Sequence, residues 1–204
     1  MVPRGTERSY VVQTILGDHR KFEDLMRGLR DVTADRASLR AELSAVLIAH
    51  AVAGERAVYP KLRKKASDSD EVEHGQEEHA EINHALLDFL EIAELEGESF
   101  SGKLEDLVAV VNHHTNEEEL TLLNDARLEL SDAERGRRGE AFLTERKVLL
   151  DSDCGRLENV RSVVGKTRWS GRRSIVSTES QVDLTVCASS ASSSGGALRC
   201  RIVQ

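Results

Sequence analysis

The 204-residue chain is 31% charged and 39% hydrophobic but only 3% aromatic, and its formal net charge is −8. That balance suits one helical domain with an aliphatic core, and it argues against nucleic acid or an anionic membrane as a partner, since an acidic surface repels both. No run of 18 apolar residues predicts a membrane-spanning helix, and the opening "MVPRGTERSY" lacks the apolar stretch of a secretory signal, so a cytoplasmic protein is expected.

The first predicted helix runs from about Arg8 to Arg30 and aligns Val12, Ile15, Leu16, His19, Phe22, Met26 and Leu29 on one stripe. "DVTADRAS" makes a turn in which Thr33 or Asp35 can cap a second helix, from about Arg36 to Lys65. The inward stripe of that helix is Leu39, Leu43, Val46, Leu47, His50, Gly54, Ala57 and Val58, and Pro60 should end or kink it. A third helix is expected over about Asp70 to Glu96, with Val72, His79, Ile82, Leu86, Phe89 and Leu90 inward. "GESFSG" reads as the break after it, and Ser101 as the cap of a fourth helix from about Lys103 to Leu130. The seam of that helix holds Leu104, Leu107, Val111, His114, Glu118 and Leu122. A shorter amphipathic segment, Asp132 to Leu150, is expected on the outside.

Four amphipathic helices with short connections predict an all-α fold, an up-down-up-down four-helix bundle over residues 8–150 with a short fifth helix. After Leu150 the periodicity fades into Ser/Gly-rich sequence such as "CASSASSSGGALRC", which predicts a disordered tail over 151–204. The body to residue 150 carries a net −11 and the tail a net +3. The three cysteines, Cys154, Cys187 and Cys200, are widely spaced and far from every histidine, so they read as free thiols in a reducing compartment.

Each of the four helices places a histidine on its apolar stripe: His19, His50, His79 and His114. Burying four imidazoles without partners is costly, whereas a shared metal would use their neutral nitrogens as ligands. Glu118 stands four residues after His114 and therefore on the same helix face, so one helix offers an imidazole and a carboxylate together. In the second helix the position four after His50 is Gly54, and the first acid, Glu55, lies about 140° from His50 on a regular helix. A local distortion at the glycine would turn Glu55 inward; otherwise only one carboxylate bridges the site.

The segments "DHRKFEDL", "HAVAGERAVYP", "VEHGQEEHAEINHALLDFLE" and "NHHTNEEELTLL" resemble, in order, the four motif segments of hemerythrin-like proteins with an HHE cation-binding domain. The resemblance covers about residues 10–150. It implies a bundle enclosing a non-haem di-iron centre that binds or senses dioxygen, nitric oxide or peroxide. It also implies as ligands His19, His50, His79, the pair His114 and Glu118, with Glu55 and His74 as further members of the set. His113 is an alternative to His114, and Asn83 takes an inward position where some members carry another histidine. Gly54 departs from the family's His-x-x-x-Glu pattern, which leaves open a site holding one iron in place of two.

The expected function is thus a small iron-binding protein whose partner is a small molecule, with catalysis left open. A ferritin-like reading fits less well, because its Glu-x-x-His spacing occurs only at Glu71 and His74, off the inward phase. A second class of function is a degenerate bundle with weak or single-metal binding, acting as an interaction or structural module.

Overall fold

A computed structural model describes residues 10–60, 62 and 70–166. Seven helices are described: α1 (Val11–Arg30), α2 (Arg36–Ala57), α3 (Asp70–Leu90), α4 (Gly97–Leu120), α5 (Leu122–Glu129), α6 (Asp132–Asp151) and α7 (Leu157–Lys166), with no strand among the described residues.

Two apolar clusters fill the interior, and their order along each helix fixes the topology. One contains Phe22, Leu25 and Leu29 of α1, Leu43 and Leu47 of α2, Leu86 and Phe89 of α3, and Phe100 and Leu107 of α4. The other contains Val11 and Ile15, Ala53 and Ala57, Val72, and Leu122 with Leu123 beyond α4. The clusters follow one order along α1 and α3 and the opposite order along α2 and α4. The four helices therefore run up-down-up-down, and the inward histidines fall on the level between the clusters.

α2, expected to run to about Lys65, ends at Ala57, just short of Pro60, and residues 61 and 63–69 lie outside the described ones. The helix limits differ from the sequence expectation at three further points. α3 ends at Leu90, and "GESF" opens α4 in place of a loop. Phe100 explains this: it is fully buried against Phe89, with ring centroids 5.1 Å apart, and extends the inward stripe one turn before Leu104. Gly97, at φ +84, takes the left-handed conformation that starts the turn. Third, α4 breaks at Thr121, whose hydroxyl donates to the Glu117 carbonyl at 2.8 Å, and α5 continues in a new direction of burial through Leu122, Leu123 and Ala126.

α2 is long and apolar enough to cross a membrane by length and composition alone. Its character follows from its place: it is packed by α1, α3 and α6, so residues Val46 through Ala51 are all buried. Asp35 caps it, accepting from the Ser38 amide at 3.1 Å.

α6 is not a mere outer layer. A capping box of Ser131 and Glu134 starts it, and it lies along α2 and α1 with Phe142 fully buried. Burying that ring contributes about 2–3 kcal/mol. The segment after Leu150, expected as disordered tail, departs from that reading over residues 151–166. Cys154 is buried with its thiol donating to the Ala45 carbonyl at 3.4 Å, and Gly155 accepts at its carbonyl from Ser44 Oγ at 2.7 Å. α7 then buries Val160 beside α3. Its apolar positions, Leu157, Val160, Val163 and Val164, do recur at helical spacing, but over only ten residues that follow the turn at Asp153–Gly155. Residues 167–204, including Cys187 and Cys200, lie outside the described residues.

Candidate metal centre

Between the two apolar clusters the four helices turn polar side chains inward: His19, His50, His79, His114 and Glu118, each 2% exposed. Glu118 is the hub. Its Oε2 lies 3.0 Å from His19 Nε2, 3.6 Å from His50 Nε2 and 3.8 Å from His114 Nε2, and its Oε1 accepts from the Tyr59 hydroxyl at 2.9 Å. Two overlapping groups of ligand atoms, His50–His79–His114 and His19–His50–Glu118, each fall within 4.8 Å of one another.

The outer nitrogen of every one of these imidazoles meets a carboxylate from the preceding helix around the bundle. Asp18 of α1 lies 3.4 Å from His50 Nδ1 on α2, and Glu55 of α2 lies 2.9 Å from His79 Nδ1 on α3. Glu78 of α3 lies 2.9 Å from His114 Nδ1 on α4, and Glu119 of α4 closes the ring at 2.8 Å from His19 Nδ1 on α1. A carboxylate at Nδ1 fixes the tautomer with its proton there and aims the Nε2 lone pair inward, as metal-ligating histidines require.

That requirement tests whether a cation fits. Nε2 of His50, His79 and His114 are all buried without a hydrogen-bond partner. Three orphaned nitrogens gathered in one buried group, two of them beside a buried carboxylate, carry a desolvation penalty that a bound cation removes. The donor set, imidazole with carboxylate, suits iron, zinc or manganese.

The protein charges prepare these groups unequally. Burial opposes ionisation of Glu118, but His19 and His50 outweigh it and hold the carboxyl well below its ordinary value. Burial would lower His50, yet Asp18 and Glu118 raise it to about 9. Burial and the neighbouring His79 push His114 down to about 4. Tyr59 rises well above its ordinary value, through burial first and then the charge of Glu118, so its proton stays on the phenol. Asp18 would be raised by burial, but His50 and the Arg146 guanidinium hold it low. Arg146, from α6, grips Asp18 at 2.9 Å through Nε and 2.8 Å through Nη2.

The sequence-derived site set divides. His19, His50, His79, His114 and Glu118 come together. Glu55 stands outside: α2 is a regular helix through residue 55, and the carboxylate is 34% exposed and spent on His79 Nδ1. No distortion at Gly54 turns it inward. The room beside that glycine belongs to Tyr59, whose ring stacks on His79 at 5.7 Å and 6°. His74 also stands apart, 56% exposed and 3.6 Å from Glu78 Oε1, and of the two candidates on α4 it is His114, not the exposed His113, that faces the centre. Asn83 is buried, with its Oδ1 lacking a partner.

Sequence reasoning missed Tyr59, Asp18, Glu78, Glu119, Phe142 and Arg146. Three of them, Asp18, Glu78 and Glu119, directly adjoin an inward ligand, and a neighbour 100° round the helix faces the next helix. That adjacency was the available signal.

An antiparallel helical bundle with a buried cage of imidazoles around a carboxylate defines a cation-binding bundle protein. The family model described as the hemerythrin HHE cation binding domain matches residues 10–126, more than half the chain, and the chain belongs to that family. No curated protein and no solved structure matches it. α6, with Arg146 and Phe142, lies beyond the matched residues yet completes the surroundings of His50: the Phe142 ring packs edge-on to His50 at 5.8 Å.

Proposed function

We propose that this chain binds non-haem iron in the bundle core and uses it to bind or sense dioxygen, nitric oxide or peroxide. The observation that carries the reading is the convergence of the three partnerless Nε2 atoms of His50, His79 and His114 on one another, with Glu118 Oε2 beside two of them, 3.6 Å from His50 and 3.8 Å from His114. His19, His50, His79, His114 and Glu118 would hold the metal, and bound iron would supply a redox-active centre with coordination positions for a diatomic or peroxide ligand.

The chain's own residues supply the surroundings. The apolar clusters above and below exclude water, and Phe22 and Phe142 wall the His50 side with rings 5.2 and 5.8 Å away. Tyr59 holds a proton on its hydroxyl at Glu118 Oε1, so the carboxylate keeps one oxygen hydrogen-bonded and the other toward the imidazoles. Asp18, Glu55, Glu78 and Glu119 keep each imidazole turned with Nε2 inward.

One observation favours a second reading, a centre with a single firmly held metal. Glu118 is the only carboxylate in the two inner ligand groups, and Tyr59 fills the space beside Gly54 where the family pattern has a second. A dinuclear site short of one negative bridge binds its second ion more weakly. Anaerobic loading with iron(II), metal analysis per chain, and near-ultraviolet and visible spectra after adding dioxygen, nitric oxide or peroxide test both readings. Two irons per chain with a new absorption band support the dinuclear form, and one iron supports the single-metal form. Less than one iron per chain with no spectral response to any of the three contradicts the proposal.

A further inference from the structure

A second cluster lies outside the central cage, on the solvent side of the α3–α4 seam. His74 and Glu78 stand four apart on α3 and so share a face, and His113 approaches from α4. One ligand atom from each falls within 4.8 Å of the others. Glu78 Oε1 is the common point, 3.6 Å from His74 Nε2 and 3.3 Å from His113 Nε2.

The carboxylate is what distinguishes this cluster from an ordinary exposed ion pair. Glu78 is 6% exposed, and its Oε1 is buried with no hydrogen-bond partner, the His113 approach being outside hydrogen-bonding geometry. A buried anionic oxygen left without a donor costs free energy, and one aimed between two imidazole nitrogens is relieved by a cation there. The imidazoles themselves are 56% and 61% exposed, so they can turn toward an ion and leave its remaining positions to water. Two imidazoles with one carboxylate select a first-row transition ion over calcium or magnesium, and the set is that of open zinc and iron(II) sites.

We infer that His74, Glu78 and His113 form an outer site for a divalent transition-metal cation, separate from the central cage. The two sites share one residue: Glu78 Oε1 faces outward, and its Oε2 is 2.9 Å from Nδ1 of His114. The outer site does not depend on which metal, or how many, the centre holds.

The test uses the full chain and cobalt(II) or zinc as the probe. Stoichiometry and affinity are measured by calorimetry and by cobalt absorption for the wild type and for a His74→Ala/His113→Ala variant. Both side chains are exposed, so the variant should keep its far-ultraviolet circular dichroism. The wild type should bind one more cation per chain than the double variant, and Glu78→Gln, whose amide oxygen still accepts from His114, should weaken that extra ion at least about tenfold. Equal stoichiometry, with affinities within about twofold across the three proteins, would overturn the inference. So would an extra ion that persists in the double variant.

Discussion

Tyr59 and Gly54 are partners in one substitution of function: the tyrosine ring takes the space that the glycine's missing side chain leaves. A Cβ at 54 would lie 3.8 Å from Tyr59 Cε1, ordinary contact, while the phenol reaches on to Glu118. Gly54→Ala should therefore be tolerated and should stabilise α2 by about 0.5–1 kcal/mol, since glycine is a poor residue in a helix interior. Gly54→Glu alone should not raise the iron content, because Tyr59 stands where the new carboxylate must go. Gly54→Glu combined with Tyr59→Ala should raise it. Thermal unfolding and metal analysis of the three variants check this.

Tyr59→Phe removes the hydroxyl that satisfies Glu118 Oε1 and leaves a buried carboxylate oxygen without that donor. The expected loss is about 1–3 kcal/mol in the metal-free chain. Urea unfolding should show a lower midpoint with an unchanged slope.

Arg146 acts on the centre from α6 through Asp18 and then His50. Arg146→Ala should weaken iron binding about 10–100-fold by freeing the imidazole it indirectly orients. Arg146→Lys should rescue little, because a lysine cannot make the two-point contact. A chelator competition assay reads the affinity, and circular dichroism confirms that the helices persist.

The sign of the pH response follows from His50. Its pKa is about 9 in the folded metal-free chain and 6.5 as the ordinary value. The stabilisation it contributes is thus fully present below about 6.5 and is lost as pH rises through about 9. Metal binding needs the neutral ring, so metal affinity should change in the opposite direction, climbing about tenfold per pH unit over that window and levelling above it. Zinc titrations across the window, with unfolding of the metal-free chain in parallel, should show opposite slopes.

Much of the architecture was legible in the sequence because a histidine at the phase of leucines and valines has only one direction to point. The same periodicity gave the helix order and, through Glu118 four residues after His114, the central carboxylate. Supporting groups were legible only as sequence neighbours of inward ligands; which Nδ1 each one meets was not, since that partner sits on another helix and only the packing brings them together. Glu55 shows the limit: its angle of about 140° from His50 left open whether it reaches the centre, and nothing in the sequence says that it meets His79. α7 was hidden for another reason. Its docking rests on a close backbone approach, with an added Cβ at Gly155 falling 2.4 Å from the Ala45 amide nitrogen.

That approach gives a prediction remote from the centre. Gly155→Ala should force the 154–156 turn off α2 and undock α7, costing about 2 kcal/mol or more, as overpacking against backbone does. Hydrogen exchange should rise in α7 while iron content stays the same, because Ser44 and Ala45 lie more than a turn from His50.

The central claim is that the inward imidazoles and Glu118 hold the metal. It is tested most directly by iron content after anaerobic loading of the His74→Ala/His113→Ala full chain, in which the outer cluster cannot contribute. The account predicts at least one iron per chain, falling close to zero when His50→Ala or Glu118→Gln is added. Less than one iron in the parent, or a content unmoved by either added substitution, would contradict it.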